Sequence, residues 1–143
     1  MQNKYHSRVF GICRGHQSLN VYFGGTLHSH VEEPTSRYEG EAVHFVGNAE
    51  KTDVMPTSSN HHQAVDRLGD GFIPLLYGYE MKVTKEEGKQ VYKVGKRLHL
   101  EAMRHTSMPI ASVQWHPEKN FAGQSNPSAE KYVRGLIHSI LRK

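Results

Sequence analysis

The stretch Val9-Phe10-Gly11-Ile12-Cys13-Arg14-Gly15 decides the fold prediction for this chain of 143 residues. A short apolar run ends at Cys13 and a helical pattern follows it, which predicts a strand-to-helix turn at the cysteine. Glycine two residues to either side is typical of a nucleophile elbow, with sulfur in place of oxygen, and we expect both glycines to be needed for the sharp turn. The following helix is expected to point its N-terminus at the thiol and to favour the thiolate. On this stretch alone, a buried unreactive cysteine remains an alternative.

A second motif, His116-Pro117-Glu118, follows an apolar alternating run from Ile110 to Trp115 that predicts a strand. Cys13 and His116 would therefore both lie just past the carboxyl ends of strands, where open α/β sheets form their active sites. A thiol and an imidazole at such ends are the arrangement of covalent cysteine catalysis. Glu118 can hold the far ring nitrogen of the histidine and fix its tautomer. Together the two motifs disfavour a simple surface turn and indicate a catalytic site.

Three blocks of sequence carry a family resemblance. The first runs from Gly11 to Gln17 and on to Leu27, the second from Ser58 to Gly69, and the third from Gln114 to Glu118 after Glu101-Ala102. In this order they resemble the class I glutamine amidotransferases. The arginine after the cysteine points to the γ-glutamyl hydrolase branch, which includes the γ-glutamyl-γ-aminobutyrate hydrolases.

The resemblance implies a flavodoxin-like α/β fold with a mostly parallel sheet. Because only twelve residues precede Cys13, it further implies that the family's N-terminal strands are lacking, so that residues 1–143 form a single partial domain. The strand from Val9 to Ile12 would then have unpaired backbone groups along one side. We expect this edge to be covered by a complementary N-terminal segment, by a partner fragment or by self-association.

The function implied by the resemblance is cysteine-dependent hydrolysis of a γ-glutamyl amide through a γ-glutamyl thioester, releasing glutamate and an amine. Cys13 would be the nucleophile, His116 the general base and acid, and Glu118 the residue that stabilises the imidazolium. No metal or organic cofactor is required. Two alternatives stay open: a glutaminase subunit that delivers ammonia to a synthase partner, and a truncated domain without catalytic activity.

Further residues are expected to bind the substrate. The backbone N–H of Arg14 would be one oxyanion donor, and Gln17, one helical turn beyond the nucleophile, can face the same pocket. In related amidotransferases this glutamine contacts the bound glutamyl group. By the same resemblance, His61 and His62 would border the substrate pocket.

Composition limits the other classes of function. The chain is 36% hydrophobic with a mean hydropathy of −0.65, and no apolar run approaches the length of a membrane span. A single cysteine without an export signal suits a reducing cytoplasm. The net charge of +4 comes from dispersed basic residues with a cluster between Lys82 and Arg97, and no nucleic-acid recognition motif accompanies it. We therefore expect a cytoplasmic protein that binds neither nucleic acid nor membrane.

Eleven histidines raise the question of a metal site. His28 and His30 lie two apart, which would place them on one face of a strand. Neither a supporting cysteine nor a helical H-E-x-x-H spacing accompanies them, so we predict no metal site.

The remaining pattern predicts the order of elements. A helix is expected to run from the elbow through Phe23, with strands over 42–46 and 54–57. Several short strands are predicted between residues 72 and 102, with an extended hairpin over 79–96. A final helix opens at Asn126-Pro127-Ser128, and its apolar stripe predicts core contacts for Tyr132, Val133, Leu136, Ile137, Ile140 and Leu141.

Overall fold

The computed structural model describes residues 7–31, 36–38, 41–58, 63–118 and 127–142. Its elements, in chain order, are β1 (Val9–Ile12), α1 (Arg14–Tyr22), β2 (Leu27–His28), β3 (Ser36–Tyr38), β4 (Glu41–Gly47), β5 (Val54–Ser58), β6 (Ala64–Val65), β7 (Phe72–Glu86), β8 (Lys89–His105), β9 (Ile110–Val113) and α2 (Pro127–Leu141). The predicted helices and the strands over 42–46 and 54–57 are confirmed to within one or two residues at their ends.

The main sheet has the strand order β1-β9-β8-β7-β4-β3, and β5 also pairs with β4. β1 and β9 run parallel, in the register Ile12 opposite Val113. The other described pairs are antiparallel, and β7 and β8 are joined by a turn too short to connect parallel strands. The α/β fold class is confirmed, but the sheet is mixed rather than mostly parallel in the part of the chain that the structure describes.

The region predicted as several short strands is instead one long hairpin. β7 and β8 have 15 and 17 residues and pair from Phe72–His105 to the turn at Glu87 and Gly88. Both turn residues have positive φ, 52° and 77°, as a tight hairpin turn requires. Gly78 lies inside β7, where the register shifts between Tyr77 and Tyr79. The prediction of an extended hairpin over 79–96 is confirmed, and the prediction of separate short strands was wrong.

Two apolar clusters fill the two faces of the sheet. α2 covers one face with its buried side chains Ala129, Val133, Leu136 and Ile140. Tyr132 and Ile137 pack at the border of this cluster, whereas Leu141 is 53% exposed, so its predicted core contact was wrong. α1 and the loop after it cover the other face, whose buried residues are Val65, Phe72, Leu100, Met103 and Ile110.

Within the described residues, β1 stands at the end of the strand order and has β9 as its one paired neighbour. This confirms the expected unpaired side for the part of the chain that the structure covers. The exposed apolar side chains nearby include Val9 at the start of β1 and Val21 and Tyr22 at the end of α1. No helix among the described residues is both long enough and apolar enough to pass through a bilayer.

Candidate active site

Cys13 occupies a strained elbow between β1 and α1. Its φ of 52° and ψ of −101° lie outside the regions that a residue with a side chain ordinarily adopts. Gly11 is needed for this turn, because a Cβ there would lie 2.9 Å from the carbonyl carbon of Gly15 and 2.7 Å from Leu19 Cδ1. Gly15 is not needed in this way, since a Cβ at that position would meet nothing within 4 Å. The steric prediction therefore holds for the first glycine and was wrong for the second.

The thiol is partly buried and has donors of hydrogen bonds around it. The backbone N–H of Arg14 contacts the sulfur, and Gln114 Nε2 lies 3.6 Å from Sγ. Burial raises the pKa of the Cys13 thiol above its ordinary value, with smaller contributions in the same direction from the carboxylates of Glu101 and Glu118, whereas the two donors lower it. The helix N-terminus acts in the expected direction, because the Arg14 N–H lowers the thiol pKa, but desolvation outweighs the donors and the net pKa is raised.

His116 follows β9 as predicted and is paired with Glu118. His116 Nδ1 lies 2.5 Å from Glu118 Oε1, so the two side chains form a close hydrogen-bonded pair. Pairing of Nδ1 with a carboxylate leaves Nε2 as the nitrogen that can exchange a proton with another group. The carboxylate also stabilises the imidazolium form once the ring accepts that proton.

The parallel register brings Cys13 and His116 to the same edge of the sheet. The backbone N–H of Cys13 donates to the carbonyl of Val113, at 2.9 Å, which extends the β1–β9 pairing by one residue past the end of β1. Since His116 comes three residues after Val113, both residues lie beyond the carboxyl ends of neighbouring strands. This is the position expected for an active site in an open α/β sheet.

The structure describes two of the four residues that were predicted to bind the substrate, Arg14 and Gln17. The backbone N–H of Arg14 lies at the sulfur, where an oxyanion donor is expected, and the Arg14 side chain is exposed. Gln17 is nearly buried and uses Nε2 to bind the carbonyl of Gln63 at 2.8 Å and Gln114 Oε1 at 3.2 Å. His61 and His62 lie outside the described residues, so their role stays a prediction.

Sequence reasoning assigned no role to two buried polar residues beside the thiol. Gln114 and Glu101 have no exposed surface, and the N–H of Gln114 donates to the Glu101 carbonyl at 2.8 Å across β9 and β8. The signal was present in the sequence, because Gln114 is a long polar side chain directly before Trp115-His116, in a run that otherwise holds apolar residues and one serine. Polar side chains at such positions are retained when they have hydrogen-bond partners.

The histidines away from the elbow form no metal site in the described ranges, where no group of three or more potential ligands converges. His28 instead pairs with Asp66 at 3.1 Å and stacks edge-on against the ring of His99, with ring centroids 5.0 Å apart. These residues border a cavity of about 330 Å³ between the hairpin and the β2–β6 pair.

Comparison with known proteins identifies a family that this chain matches. The chain matches the Peptidase C26 family over residues 2–118. It is 32% identical over 114 residues to a glutamine-hydrolyzing GMP synthase subunit of Methanosarcina mazei, covering 77% of this chain and 50% of that protein. It is 31% identical over 116 residues to a protein of Lactococcus lactis named as glutamine amidotransferase-like, covering 77% of this chain and 45% of that protein.

The fold has a counterpart among solved structures. A Thermoplasma acidophilum protein described as a GMP synthase subunit superposes with a TM-score of 0.65 at 15% identity, covering 96% of this chain and 59% of that one. The chain spans about half the length of the two curated relatives described above. Because the family match extends over most of the chain and includes both the elbow and the His116–Glu118 pair, the chain belongs to the Peptidase C26 family, which is class I glutamine amidotransferase-like.

Proposed function

We propose that this chain hydrolyses a γ-glutamyl amide bond, with Cys13 as nucleophile, His116 as general base and acid, and Glu118 as the partner of the imidazolium. One observation carries the proposal: a cysteine at a strained elbow lies in register with a histidine–carboxylate pair at the end of the adjacent parallel strand. The family and its glutamine-hydrolyzing relative support amide hydrolysis as the class of reaction.

The chemistry follows from the protonation states. The thiol is neutral near pH 7 because burial raises its pKa, so His116 accepts the thiol proton as sulfur attacks the amide carbon. The carbonyl oxygen, now an oxyanion, accepts a hydrogen bond from the Arg14 N–H. His116 then protonates the leaving nitrogen, and the amine departs as the γ-glutamyl thioester forms. Water, deprotonated by His116, hydrolyses the thioester, so that glutamate leaves and the thiol regains its proton.

The test is the intact mass of the chain after incubation with a glutamine-mimicking electrophile. We expect a single adduct that is absent in Cys13→Ala and is suppressed by excess glutamine or another γ-glutamyl compound. His116→Ala should slow adduct formation strongly while an uncharged thiol reagent still reacts at high pH. If the electrophile gives no adduct although generic thiol reagents label Cys13, the thiol is accessible but unactivated and the proposal fails.

A second candidate function is a glutaminase subunit that passes ammonia to a synthase partner. The observation that favours it is the 32% identity to a protein named as one subunit of a glutamine-hydrolyzing GMP synthase. Glutamine-dependent ammonia release, measured with and without a candidate synthase partner, separates the two functions. Release that rises severalfold on adding the partner supports the glutaminase role, whereas release that is independent of the partner supports the hydrolase.

A further inference from the structure

A continuous chain of hydrogen bonds joins the carbonyl of Gln63 to the candidate nucleophile. Gln17 Nε2 donates to the Gln63 carbonyl at 2.8 Å and to Gln114 Oε1 at 3.2 Å, and Gln114 Nε2 donates to Cys13 Sγ at 3.6 Å. The chain therefore contains two side-chain amides in series. We refer to Gln17 and Gln114, with their bonds to Gln63 and Cys13, as the amide relay.

The orientation of each amide follows from the group before it. A backbone carbonyl can only accept, so the Gln17 atom that contacts it must be the nitrogen. That nitrogen is a donor only, and the Gln114 atom facing it must therefore be the oxygen. The other end of the Gln114 amide, which faces Sγ, is then the NH₂ group. A carbonyl of the Gln63 backbone thus fixes which atom of Gln114 the sulfur meets.

Burial makes this orientation hard to reverse. Gln17 is 7% exposed and Gln114 has no exposed surface, so water cannot replace a lost partner at low cost. Rotating the Gln114 amide by half a turn would place its NH₂ group against the NH₂ group of Gln17, so that two donors would face each other. It would also place the Gln114 oxygen, which cannot donate, against Cys13 Sγ. Such a mismatch leaves buried polar groups unsatisfied, which is unfavourable at a site that water does not reach.

We propose that the amide relay holds an N–H donor of Gln114 against Cys13 Sγ and thereby supports the thiolate during attack. Gln114 touches the reacting sulfur directly, and Gln17 is a positioning residue that acts through Gln114. The inference rests on the proposed function only in taking Cys13 as the nucleophile. It also changes the expectation for Gln17, since the nitrogen of its amide is engaged by protein groups and its oxygen is the atom that remains for a substrate.

The donor matters because burial and two nearby carboxylates oppose ionisation of the thiol. Burial and the carboxylates of Glu101 on β8 and Glu118 after β9 all raise the pKa of the Cys13 thiol. The Arg14 N–H and the Gln114 amide lower that pKa, and His116 lies at the same sheet edge as the base. Of the two hydrogen bonds that lower the thiol pKa, removing the Gln114 donor leaves the one from the Arg14 N–H.

The experiment measures the rate of alkylation of Cys13 by iodoacetamide as a function of pH, which reports the thiol pKa without any turnover. The variants are Gln114→Met, Gln17→Met and the double variant, because methionine resembles glutamine in length but has no amide. Gln90→Met, an exposed glutamine on the β7–β8 hairpin, is the matched control. We expect each relay substitution to raise the thiol pKa by roughly one unit, as loss of a hydrogen bond to a charged group implies. Gln90→Met should leave the dependence of the alkylation rate on pH unchanged.

The double variant distinguishes a relay from two separate effects. If Gln17 acts through Gln114, the Gln17→Met substitution causes no further shift of the thiol pKa once Gln114 is methionine. Additive shifts, or a native profile in folded Gln17→Met, would overturn the proposal. If Gln114→Met does not fold, as judged by circular dichroism, Gln17→Met still decides the outcome, since the amide nitrogen of Gln17 bonds Gln63 and Gln114.

The two proposals fail in different assays. A chain that forms no glutamyl adduct but shows shifted alkylation profiles in both relay variants would contradict the proposed hydrolase and support the relay. A chain that forms the adduct while its relay variants keep the native profile would support the hydrolase and contradict the relay.

Discussion

The two helices in the part of the chain that the structure describes are held to the same sheet by different kinds of contact. The buried side chains of α2 are Ala129, Val133, Leu136 and Ile140, all of them apolar. The buried side chains of α1 are His16, Gln17 and Asn20, all of them polar. Hydrophobic burial has no direction, whereas a hydrogen bond requires a donor and an acceptor at fixed positions. The helix that follows Cys13 is therefore the one whose position is fixed by directional contacts.

Asn20 shows how closely α1 is constrained. Its Nδ2 donates to the carbonyls of Thr26 at 3.1 Å and Arg67 at 2.9 Å, and its Oδ1 accepts from the N–H of Gly69 at 2.7 Å. Gly25 fits against this amide, because a Cβ there would lie 2.4 Å from Nδ2. One side chain thus ties the end of α1 to the loops before β2 and after β6.

The largest effect is expected from Asn20→Asp, a substitution that keeps the shape of the side chain. It replaces the amide nitrogen by a carboxylate oxygen facing two carbonyl oxygens at a site without exposed surface. An uncompensated buried charge of this kind costs about 3–5 kcal/mol of unfolding free energy. Urea denaturation monitored by circular dichroism measures the loss.

The matched control is Asn48→Asp, in an exposed turn. Asn48 Oδ1 accepts from the N–H groups of Thr52 and Asp53, and a carboxylate oxygen can accept these bonds as well. We expect a change within about 0.5 kcal/mol, as for most surface substitutions. Equal losses in the two variants would show that α1 is not held by directional bonds.

A smaller effect is expected from truncation on α2. Leu136→Ala should lower the unfolding free energy by about 3 kcal/mol, the cost of lost burial and of the cavity left behind. Leu136→Met should cost less than about 1.5 kcal/mol, since an apolar pocket accepts a side chain of similar volume. Leu141→Ala, on the same helix but with 53% of Leu141 exposed, is the control and should be close to neutral.

The comparison is sharpest between the two shape-conserving changes. Leu136→Met on α2 should be tolerated and Asn20→Asp on α1 should not, although each alters few atoms. A Leu136→Met variant that loses as much stability as Asn20→Asp would show that α2 is also fixed by specific fit, and the contrast between the helices would fail.

The same contrast explains how much the sequence could predict. The stripe of α2 follows from its 3.6-residue period, and only Leu141, at the helix end, departs from it. The elbow followed from Gly11 and the apolar run before Cys13, which are local signals. The buried face of α1 could not be predicted in this way, because its partners lie far along the chain: Ser112 is 96 residues from His16, and Gly69 is 49 residues from Asn20.

The candidate site divides in the same way, and the catalytic roles of its residues stay predictions. Cys13, His116 and Glu118 belong to short motifs, and the pairing of His116 with Glu118 spans two residues. The contact of Gln114 with Cys13 spans 101 residues and depends on the register of β1 with β9. The net rise in the Cys13 pKa could not be predicted from the motif, because burial of the elbow depends on elements far along the chain.

The smallest effect on stability is expected from Tyr132→Phe, which removes the phenol hydroxyl at the edge of the apolar face of α2. Burial raises the pKa of this phenol to about 12, partly opposed by Arg104. A folded-state pKa above the unfolded value means that the contribution to stability is complete below pH 10 and is lost as the pH rises toward 12. The difference in unfolding free energy between the native chain and Tyr132→Phe should therefore shrink by about 1 kcal/mol between pH 9 and pH 11. Cys13 and Tyr79, whose pKa values are also raised, are present in both proteins, so their contributions cancel in this difference. A difference that stays constant with pH would mean that the Tyr132 phenol is solvated, and that the apolar character of the α2 face does not extend to its edge.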